Sequence, residues 1–492
     1  MTRRRKTKIV CTIGPATESR DTLKRLILHG IDVIRLNMSH GTHEWHRDRI
    51  QMIRELADEN KTPIAIMMDI QGPKIRTRNP GGENIILQTG DALTIHTRPA
   101  EIHSGGGNEH IITVNYPFFD QEVFEGQTIL IDDGLVRLRI LKAGGGSVET
   151  RVIIGGVISD RRGVSVPGAD FSTPSVTEKD IKDVIFGIEQ GIDYIAVSFV
   201  RTASDISDLK QMIREQGAKI PVIAKIETKK GLENFSEILE VSDGIMVARG
   251  DLGVEIPIEN VPIAQKRLIK ESNTAGKPVI TATQMLESMI HNATPTRAEV
   301  TDVANAILDG TDGIMLSGET TIGKYPIESV AMMDRIAKTT ESSSAGRYMH
   351  TYADASSLSI EQGIGHAVCQ LAHDLGAAAI ITTTYSGSTA GVVSMYRPET
   401  PIIAITPDET TFRRLALVWG VAPLLIPPVT ENTDEMVEAS IQSAMDAGFV
   451  ETGDRVVLTT GVPIFVPGTT NLIRVHVVGR LGQRTLLNPE RI

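Results

Sequence analysis

Cysteine is nearly absent from this sequence, which has only two, Cys11 and Cys369, in 492 residues. A disulfide framework is therefore excluded, and we expect both thiols to be small buried groups of a cytoplasmic protein. Long apolar runs are also missing: none approaches the roughly 18 residues of a membrane helix, and the run after the basic start is too short for a signal peptide. The net charge of −11 argues against nucleic acid or an anionic membrane as the main partner.

Short apolar runs rich in β-branched residues recur along the first two thirds of the chain, with helical patterns between them. This alternation is typical of a parallel sheet that is buried on both faces. Eight such strands, alternating with helices, predict a (β/α)8 TIM barrel, whose active site lies at the C-terminal ends of the strands. The predicted strands are Lys8–Ile13, Asp32–Leu36, Ile64–Met68, Tyr194–Ser198, Val222–Ala224, Gly244–Val247, Val279–Ala282 and Gly313–Leu316.

Two further regions differ from the barrel in their sequence pattern. Between the third and fourth predicted strands, short alternating segments and glycine-rich turns indicate an inserted β domain at the mouth of the barrel, able to close as a lid. After a polar stretch near residue 340, βα alternation resumes and predicts a C-terminal doubly wound α/β domain of about five strands. The expected domains are 1–72 with 172–342 for the barrel, 73–171 for the lid and 343–492 for the C-terminal domain.

Two motifs carry most of the chemistry. Ala224–Glu227 and Ala248–Asp251 each follow an apolar, strand-like segment, so their polar groups should emerge where a buried strand meets solvent. Strand alternation places Lys225 and Glu227 on the same side. One cation with the carboxylates of Glu227 and Asp251 suits a metal ion and an anionic substrate. The alternative is a structural ion pair.

Other polar groups follow neighbouring strands. Alternation puts Arg35, Asn37 and Ser39 on one side after the second strand, and Asp69 ends the third. Lys74 and Arg76 open the insert, either as solvated hinge charges or as groups that face the cleft. Gly250 permits close backbone approach to a ligand. Thr283 and Ser317 end the seventh and eighth strands, where each is either a site hydroxyl or a helix N-cap.

A hydroxyl-rich loop joins a strand to a helix in the C-terminal domain. Hydroxyl and N–H groups at such a helix N-terminus form a phosphate-binding nest. An ordinary helix N-cap turn would have the same sequence pattern. The Gly-Lys-Ser/Thr element of a Walker motif is missing. The candidate effector residues are Thr384, Ser386, Gly387, Ser388 and Thr389.

Taken together, these motifs resemble the pyruvate kinase family along nearly the whole chain. The runs that carry the resemblance are Arg35–Gly41, Gln71–Arg76, Ala224–Glu227, Met246–Glu255, Thr281–Met289 and Pro295–Glu299. The family's architecture is a barrel with an inserted β domain and a C-terminal α/β domain. The resemblance implies phosphoryl transfer from phosphoenolpyruvate to ADP, which yields pyruvate and ATP, with Mg²⁺ or Mn²⁺ as cofactor. It also implies a homotetramer.

The resemblance implies roles for individual residues. The catalytic residues would be Lys225, Arg35, Thr283 and Ser317. Of these, Lys225 would stabilise the phosphoryl group during its transfer. Substrate binding falls to Arg35, Lys225, Gly250, Asp251 and Thr283. Mg²⁺ would be held by Glu227 and Asp251. Nucleotide contacts fall to Arg76, Arg162, Asn37 and His40, with Asp133 as a weaker lid candidate.

Lys74 is the most useful departure from the family pattern, because potassium-dependent members generally carry Glu there. The resemblance places the monovalent cation among Asn37, Ser39, Asp69 and the backbone carbonyl of Ile70. A lysine ammonium is a compact point charge that can pre-empt that cation. We therefore expect that K⁺ is dispensable.

The effector loop departs from the family pattern as well. Tyr385 replaces a lysine of fructose-1,6-bisphosphate-responsive forms, and Val462 replaces a tryptophan of the facing loop. A second phosphate therefore has less to hold it. We expect a sugar monophosphate or nucleotide monophosphate as the activator.

Two other functions stay open from the sequence. A lyase or aldolase acting on pyruvate enolate with Mg²⁺ would share the Glu and Asp ligands but would not need Lys225 at a phosphoryl group. A non-catalytic sugar-phosphate sensor is the second, although the intact Lys225, Glu227, Asp251 and Thr283 argue against it.

Overall fold

The computed structural model describes residues 5–98, 109–132, 134–169, 171–343, 358–427, 433–461 and 470–479. Three strands open the chain: β1 (Lys8–Thr12), β2 (Val33–Asn37) and β3 (Ala65–Ile70). Nine follow in the insert: β4 (Thr77–Arg78), β5 (Ile85–Leu87), β6 (Ala92–His96), β7 (Glu109–Val114), β8 (Thr128–Ile131), β9 (Val136–Gly144), β10 (Ser147–Ile154), β11 (Gly156–Ile158) and β12 (Val164–Ser165). Five more belong to the same barrel as β1–β3: β13 (Tyr194–Val197), β14 (Val222–Ile226), β15 (Gly244–Ala248), β16 (Val279–Ala282) and β17 (Gly313–Leu316). The last five are β18 (Ala379–Thr383), β19 (Ile402–Thr406), β20 (Val421–Leu425), β21 (Arg455–Gly461) and β22 (Thr470–Val477).

The helices connect these strands. In chain order they are α1 (Arg20–Leu28), α2 (His43–Glu59), α3 (Phe119–Glu122), α4 (Glu178–Glu189), α5 (Ala203–Glu215), α6 (Lys229–Glu233), α7 (Phe235–Val241), α8 (Arg249–Glu255), α9 (Val261–Thr274), α10 (Arg297–Leu308), α11 (Gly318–Thr321), α12 (Pro326–Ser342), α13 (Ile360–Asp374), α14 (Ser388–Met395), α15 (Glu409–Arg414) and α16 (Thr433–Asp446). Short 3-10 turns span Pro80–Gly82, Ile258–Asn260, Glu287–Ile290 and Leu415–Leu417. Within the described ranges, no helix has both the length and the apolar character needed to cross a membrane.

Eight parallel strands close into the predicted barrel, in the order β1-β17-β16-β15-β14-β13-β3-β2. Their residues are buried on both faces, which is why the strands read as continuous apolar runs rather than alternating ones. Four strands run further than the sequence predicts: β2 includes Asn37, β3 includes Asp69, β14 includes Lys225 and β15 includes Ala248. Functional side chains therefore belong to the rigid sheet itself.

The insert is a β domain, as predicted. Seven strands form a sheet in the order β12-β8-β9-β10-β6-β7-β4, and β11 pairs with β5. Its own core includes the fully buried side chains of Phe119, Ile129 and Leu138. The domain boundaries given above stay a prediction.

The C-terminal sheet has the order β20-β19-β18-β21-β22, with β22 antiparallel to β21 and the other strands parallel. Separate apolar clusters cover its two faces, as expected for a doubly wound sheet. Both Cys11 and Cys369 are free and buried, as predicted, and burial raises the pKa of the Cys369 thiol to about 12.

Asp193 links the C-terminal domain to the barrel. It precedes β13, is 0% exposed, and its carboxylate accepts hydrogen bonds from Arg54 of α2 at 2.8 Å and Arg413 of α15 at 2.9 Å. The amide of Ile66 on β3 donates to the same group at 2.8 Å. One buried carboxylate therefore joins a barrel helix, a barrel strand and a helix of the C-terminal domain.

Candidate active site

Lys225 lies at the centre of the site and is only 7% exposed. Its ammonium lies 2.7 Å from the hydroxyl of Ser198, 2.9 Å from Oε1 of Glu227 and 3.2 Å from Oδ1 of Asp69. These acceptors come from three neighbouring strands, so the barrel itself fixes the cation. The predicted convergence of Lys225 and Glu227 is confirmed.

The charges around Lys225 depend on one another. Burial lowers the pKa of Lys225, but the carboxylates of Asp69 and Glu227 outweigh burial and leave the pKa raised. Burial raises the pKa of Glu227, Lys225 opposes that change, and Asp251 reinforces it. For Asp69, burial is outweighed by Arg35 and Lys225, so its pKa is lowered. The site therefore holds a charged lysine next to Glu227, the carboxylate whose ionised form is less favoured.

Arg35 extends this network towards β2. Its Nε donates to Oδ2 of Asp69 at 2.6 Å, and its Nη1 donates to the hydroxyl of Thr12 at 3.0 Å. Asn37 is the register partner of Asp69 across the β2–β3 pair. The structure thus brings Arg35 to the same strand ends as Lys225.

Asp251 and Lys74 form the outer part of the site. Asp251 lies in the first turn of α8, directly after β15, and its Oδ1 is 3.4 Å from the ammonium of Lys74. Both side chains are partly exposed, at 32% and 28%. Lys74 therefore faces the cleft, which settles the choice that the sequence left open.

Gly250 and Thr283 lie side by side on adjacent strand ends. The amide of Gly250 donates to the hydroxyl of Thr283 at 2.8 Å, and a Cβ on Gly250 would lie 3.4 Å from that oxygen. Thr283 itself has φ +68°, an unfavourable conformation for a β-branched residue. Its hydroxyl donates to the carbonyl of Ala282 at 2.6 Å. The next helical turn, Glu287–Ile290, is preceded by Leu286, so Thr283 is not a helix N-cap.

Ser317 follows β17, and its buried hydroxyl has no hydrogen-bond partner among the residues that the structure describes. Buried polar atoms normally have a partner. The amide of Ser317 donates to Oε2 of Glu319 at 2.8 Å. This contact fixes the backbone and leaves the Ser317 hydroxyl available to bind a ligand or water.

The predicted nucleotide residues lie on both sides of the cleft. Arg76 donates to the carbonyl of Arg161 at 3.2 Å, and Arg162 lies 3.3 Å from Asp132 on the lid. Burial and the positive charges of Arg76 and Arg35 lower the pKa of His40, which places His40 in their field. Asp133 lies outside the described residues.

The predicted monovalent-cation ligands already have partners within the protein. Asn37 accepts from the amide of Ser39 at 3.1 Å, and the carbonyl of Ile70 accepts from Ser198 at 2.8 Å. Both oxygens of Asp69 contact cations, as described above.

The predicted effector loop begins after β18 and leads into α14. Thr384 accepts from the amide of Gly387 at 2.9 Å, and the hydroxyls of Ser386 and Ser388 lie 3.1 Å apart. Thr389 is 2.8 Å from the hydroxyl of Thr470. Tyr385 is 49% exposed beside this loop. Val462 of the facing loop lies outside the described residues.

Sequence reasoning missed Ser198, Phe199 and Thr12. Phe199 has φ +56°, and its amide donates to Oε2 of Glu227 at 2.7 Å. Ser198 ends the fourth predicted strand, so the rule that singled out Thr283 and Ser317 applied to it equally. Nothing in the sequence signals the backbone of Phe199.

The fold defines a (β/α)8 barrel protein, and its strand ends bring Arg35, Asp69, Lys225 and Glu227 together. Models of the pyruvate kinase barrel domain and of the pyruvate kinase alpha/beta domain match residues 4–330 and 362–476. The chain is 49% identical over 482 residues to a pyruvate kinase from Geobacillus stearothermophilus, covering 97% of this chain and 81% of that protein. It is 47% identical over 479 residues to pyruvate kinase 2 of Synechocystis sp., covering 96% and 79%.

A solved structure gives the same result. A pyruvate kinase from Cryptosporidium parvum superposes with a TM-score of 0.88 at 37% identity, covering 96% of both chains. The chain belongs to the pyruvate kinase family, as its motifs indicated, and it is a phosphotransferase.

Proposed function

We propose that this chain transfers the phosphoryl group of phosphoenolpyruvate to ADP, producing pyruvate and ATP. The observation that carries the proposal is the buried Lys225 ammonium, held by Asp69, Ser198 and Glu227 at the mouth of the barrel. Charge in a phosphoryl-transfer transition state sits on peripheral oxygens, so a fixed cation lowers its energy. Arg35 adds a second cation on the neighbouring strand.

We also propose Mg²⁺ as the cofactor, replaceable by Mn²⁺. The donors fit this ion, because Mg²⁺ usually binds one or two carboxylates and keeps its other positions for water and substrate phosphates. Glu227 and Asp251 supply two, and Asp251 is close enough to Glu227 to reinforce the rise in its pKa. When bound, the ion supplies Lewis-acid stabilisation of the reacting oxygens.

The remaining residues orient substrate and move a proton. Gly250, with no side chain, lets the substrate carboxylate approach the backbone near Thr283. After phosphoryl loss, the hydroxyl of Thr283 delivers a proton to the methylene carbon of the enolate. The hydroxyl of Ser317, which has no hydrogen-bond partner among the described residues, resupplies that proton from water. Arg76 and Arg162, with Asn37 and His40, bind the nucleotide as the lid closes.

We also propose that K⁺ is dispensable for turnover. The ammonium of Lys74 lies in the cleft beside Asp251 and adds fixed positive charge to the site. Turnover at saturating Mg²⁺ should persist when tetramethylammonium replaces all buffer potassium. A collapse of turnover under that replacement contradicts this part of the proposal.

Activation by a sugar monophosphate or nucleotide monophosphate at the Thr384–Thr389 loop, in a cytoplasmic homotetramer, completes the proposal. The clustered hydroxyls of this loop at the start of α14 support it. The Ser386→Ala, Thr389→Ala double variant should lose activation and keep basal turnover. Unchanged activation would refute the assignment, and light scattering would test the tetramer.

A coupled assay of ATP formation tests the central proposal. Lys225→Ala should lower kcat by about 100-fold or more, the usual cost of losing a transition-state donor. Lys270→Ala, at an exposed lysine on α9, is the matched control and should keep native turnover. If no ATP forms while pyruvate enolate still turns over, a lyase or aldolase is favoured instead.

A further inference from the structure

We propose that Ser198, at the C-terminal end of β13, is a positioning residue that aims the Lys225 ammonium at the phosphoryl group. The inference rests on the proposed function, in which Lys225 acts on that group. Ser198 is 4% exposed, and its hydroxyl oxygen is the nearest of the three acceptors around the ammonium, at 2.7 Å.

The hydroxyl of Ser198 is itself held in one orientation. It has a single hydrogen, which can go to the carbonyl of Ile70 at 2.8 Å or to Asp69 at 3.3 Å. The shorter contact to Ile70 is favoured. The lone pairs of the oxygen are then directed to Lys225, and burial leaves little water to compete. A neutral acceptor thus fixes the direction of the ammonium.

The backbone after Ser198 is strained in a way that serves the same site. Phe199 adopts φ +56°, a left-handed conformation that is unfavourable for an aromatic L-residue. This conformation coincides with donation from its amide to Oε2 of Glu227 at 2.7 Å, while Oε1 contacts Lys225. Strain of this kind persists only where the surroundings enforce it, and it clusters at functional sites.

The surroundings that enforce it include both connections to the lid. A Cβ on Gly72 would lie 3.1 Å from the carbonyl oxygen of Ser198, so the first connection packs directly on this peptide. Arg201, two residues beyond Phe199, donates to the carbonyls of Phe171 and Thr173 on the second connection. The Ser198–Arg201 segment therefore joins the lid to Lys225 and Glu227.

The three acceptors around Lys225 predict what happens when substrate binds. A lysine ammonium has three N–H groups, so a phosphoryl oxygen must displace one of its present partners. Glu227 is one of the two proposed metal ligands and is therefore the partner we expect to leave Lys225. Asp69 stays paired with Arg35, and the uncharged Ser198 keeps its contact. Loss of the Ser198 hydroxyl should then reduce turnover more than substrate binding.

Steady-state kinetics of Ser198→Ala test the inference. We expect kcat to fall about tenfold to a hundredfold, as for a lost hydrogen bond to a charged group, with KM for phosphoenolpyruvate within about threefold of native. Ser198→Thr keeps the hydroxyl and should restore most of kcat. Ser272→Ala is the matched control, since the hydroxyl of that buried serine donates to the carbonyl of Leu268 within α9, away from Lys225. If Ser198→Ala does not fold, Ser198→Cys should show an intermediate loss of kcat.

A double-mutant cycle with Lys225→Ala separates this inference from the proposed function. If Ser198 acts through Lys225, removing it in the Lys225→Ala background should change kcat less than about twofold. An equal loss in both backgrounds, full kcat in Ser198→Ala, or no rescue by Ser198→Thr overturns the inference. If Lys225→Ala keeps native turnover, the proposed function itself fails.

Discussion

Replacing Asp193 by alanine is expected to weaken the junction between the barrel and the C-terminal domain. Its carboxylate is fully buried and is shared by Arg54, Arg413 and the amide of Ile66. The side chains of Arg54 and Arg413 are only about one fifth exposed, at 22% and 23%. Without Asp193, two largely buried cations and a buried amide lose their shared acceptor.

The size of the effect follows from that loss of partners. Removing one member of a buried ion pair costs about 3 to 5 kcal/mol, because the remaining charge stays buried without compensation. Asp193→Asn keeps the shape and an acceptor oxygen but loses the charge, so about 1 to 3 kcal/mol is expected. The order Ala, then Asn, then native is therefore part of the prediction.

The two tryptophans allow the barrel and the junction to be followed separately. Trp45 lies in α2 of the barrel, whereas Trp419 lies at the junction, with the guanidinium of Arg397 at 4.8 Å from its ring. Urea unfolding would be recorded by fluorescence in Trp45→Phe and Trp419→Phe backgrounds. Coincident transitions are required before one free energy of unfolding is assigned.

An exposed carboxylate provides the control. Asp208→Ala, on the outer face of α5, should change the free energy of unfolding by less than about 0.5 kcal/mol. If Asp193→Ala costs no more than this control in both tryptophan backgrounds, the ion-pair junction does not stabilise the assembly, and the reasoning is wrong.

Three further predictions concern the site and its surroundings. Burial raises the pKa of Glu255 from 4.5 to about 7, so the stability that its protonated form contributes is complete below pH 4.5 and is lost as pH rises through 7. Glu255→Gln should therefore stabilise the protein above pH 7 by up to about 3 kcal/mol in pH-dependent unfolding, and an equal gain at pH 4.5 would contradict this. Removing divalent ions with EDTA should abolish ATP formation, and added Mg²⁺ should restore it; activity in excess EDTA would exclude the metal role. Gly72→Ala should destabilise the protein by about 1 to 3 kcal/mol and lower kcat, because Gly72 has φ +66° and its Cβ would crowd Ser198; native kcat and stability would show that the connection relaxes freely.

The barrel was predictable because its strands are buried on both faces. Such strands are apolar along most of their length, so runs like Ile64–Met68 and Val279–Ala282 stand out in the sequence. The same logic located Lys225, Glu227 and Asp251, since a charge at the end of a buried run has few structural explanations.

Other features depend on contacts between residues far apart in the chain. Asp193 looks like an ordinary turn residue, and its partners Arg54 and Arg413 are 139 and 220 residues away. Phe199 gives no sequence signal of a positive φ, because that conformation is imposed by neighbours rather than by the residue's own preference. Strand ends were predicted one or two residues early for β2, β3, β14 and β15. In the first three of these the added residues include the polar Asn37, Asp69 and Lys225.

The most direct test of the proposed reaction is to follow the phosphoryl group itself. Phosphorus NMR of the protein with phosphoenolpyruvate, ADP and Mg²⁺ should show the signal of phosphoenolpyruvate replaced by the γ-phosphate of ATP in equal amount. The same experiment with Lys225→Ala should show almost no transfer over that time. Release of inorganic phosphate without ATP, or transfer at native rate by Lys225→Ala, would contradict the account.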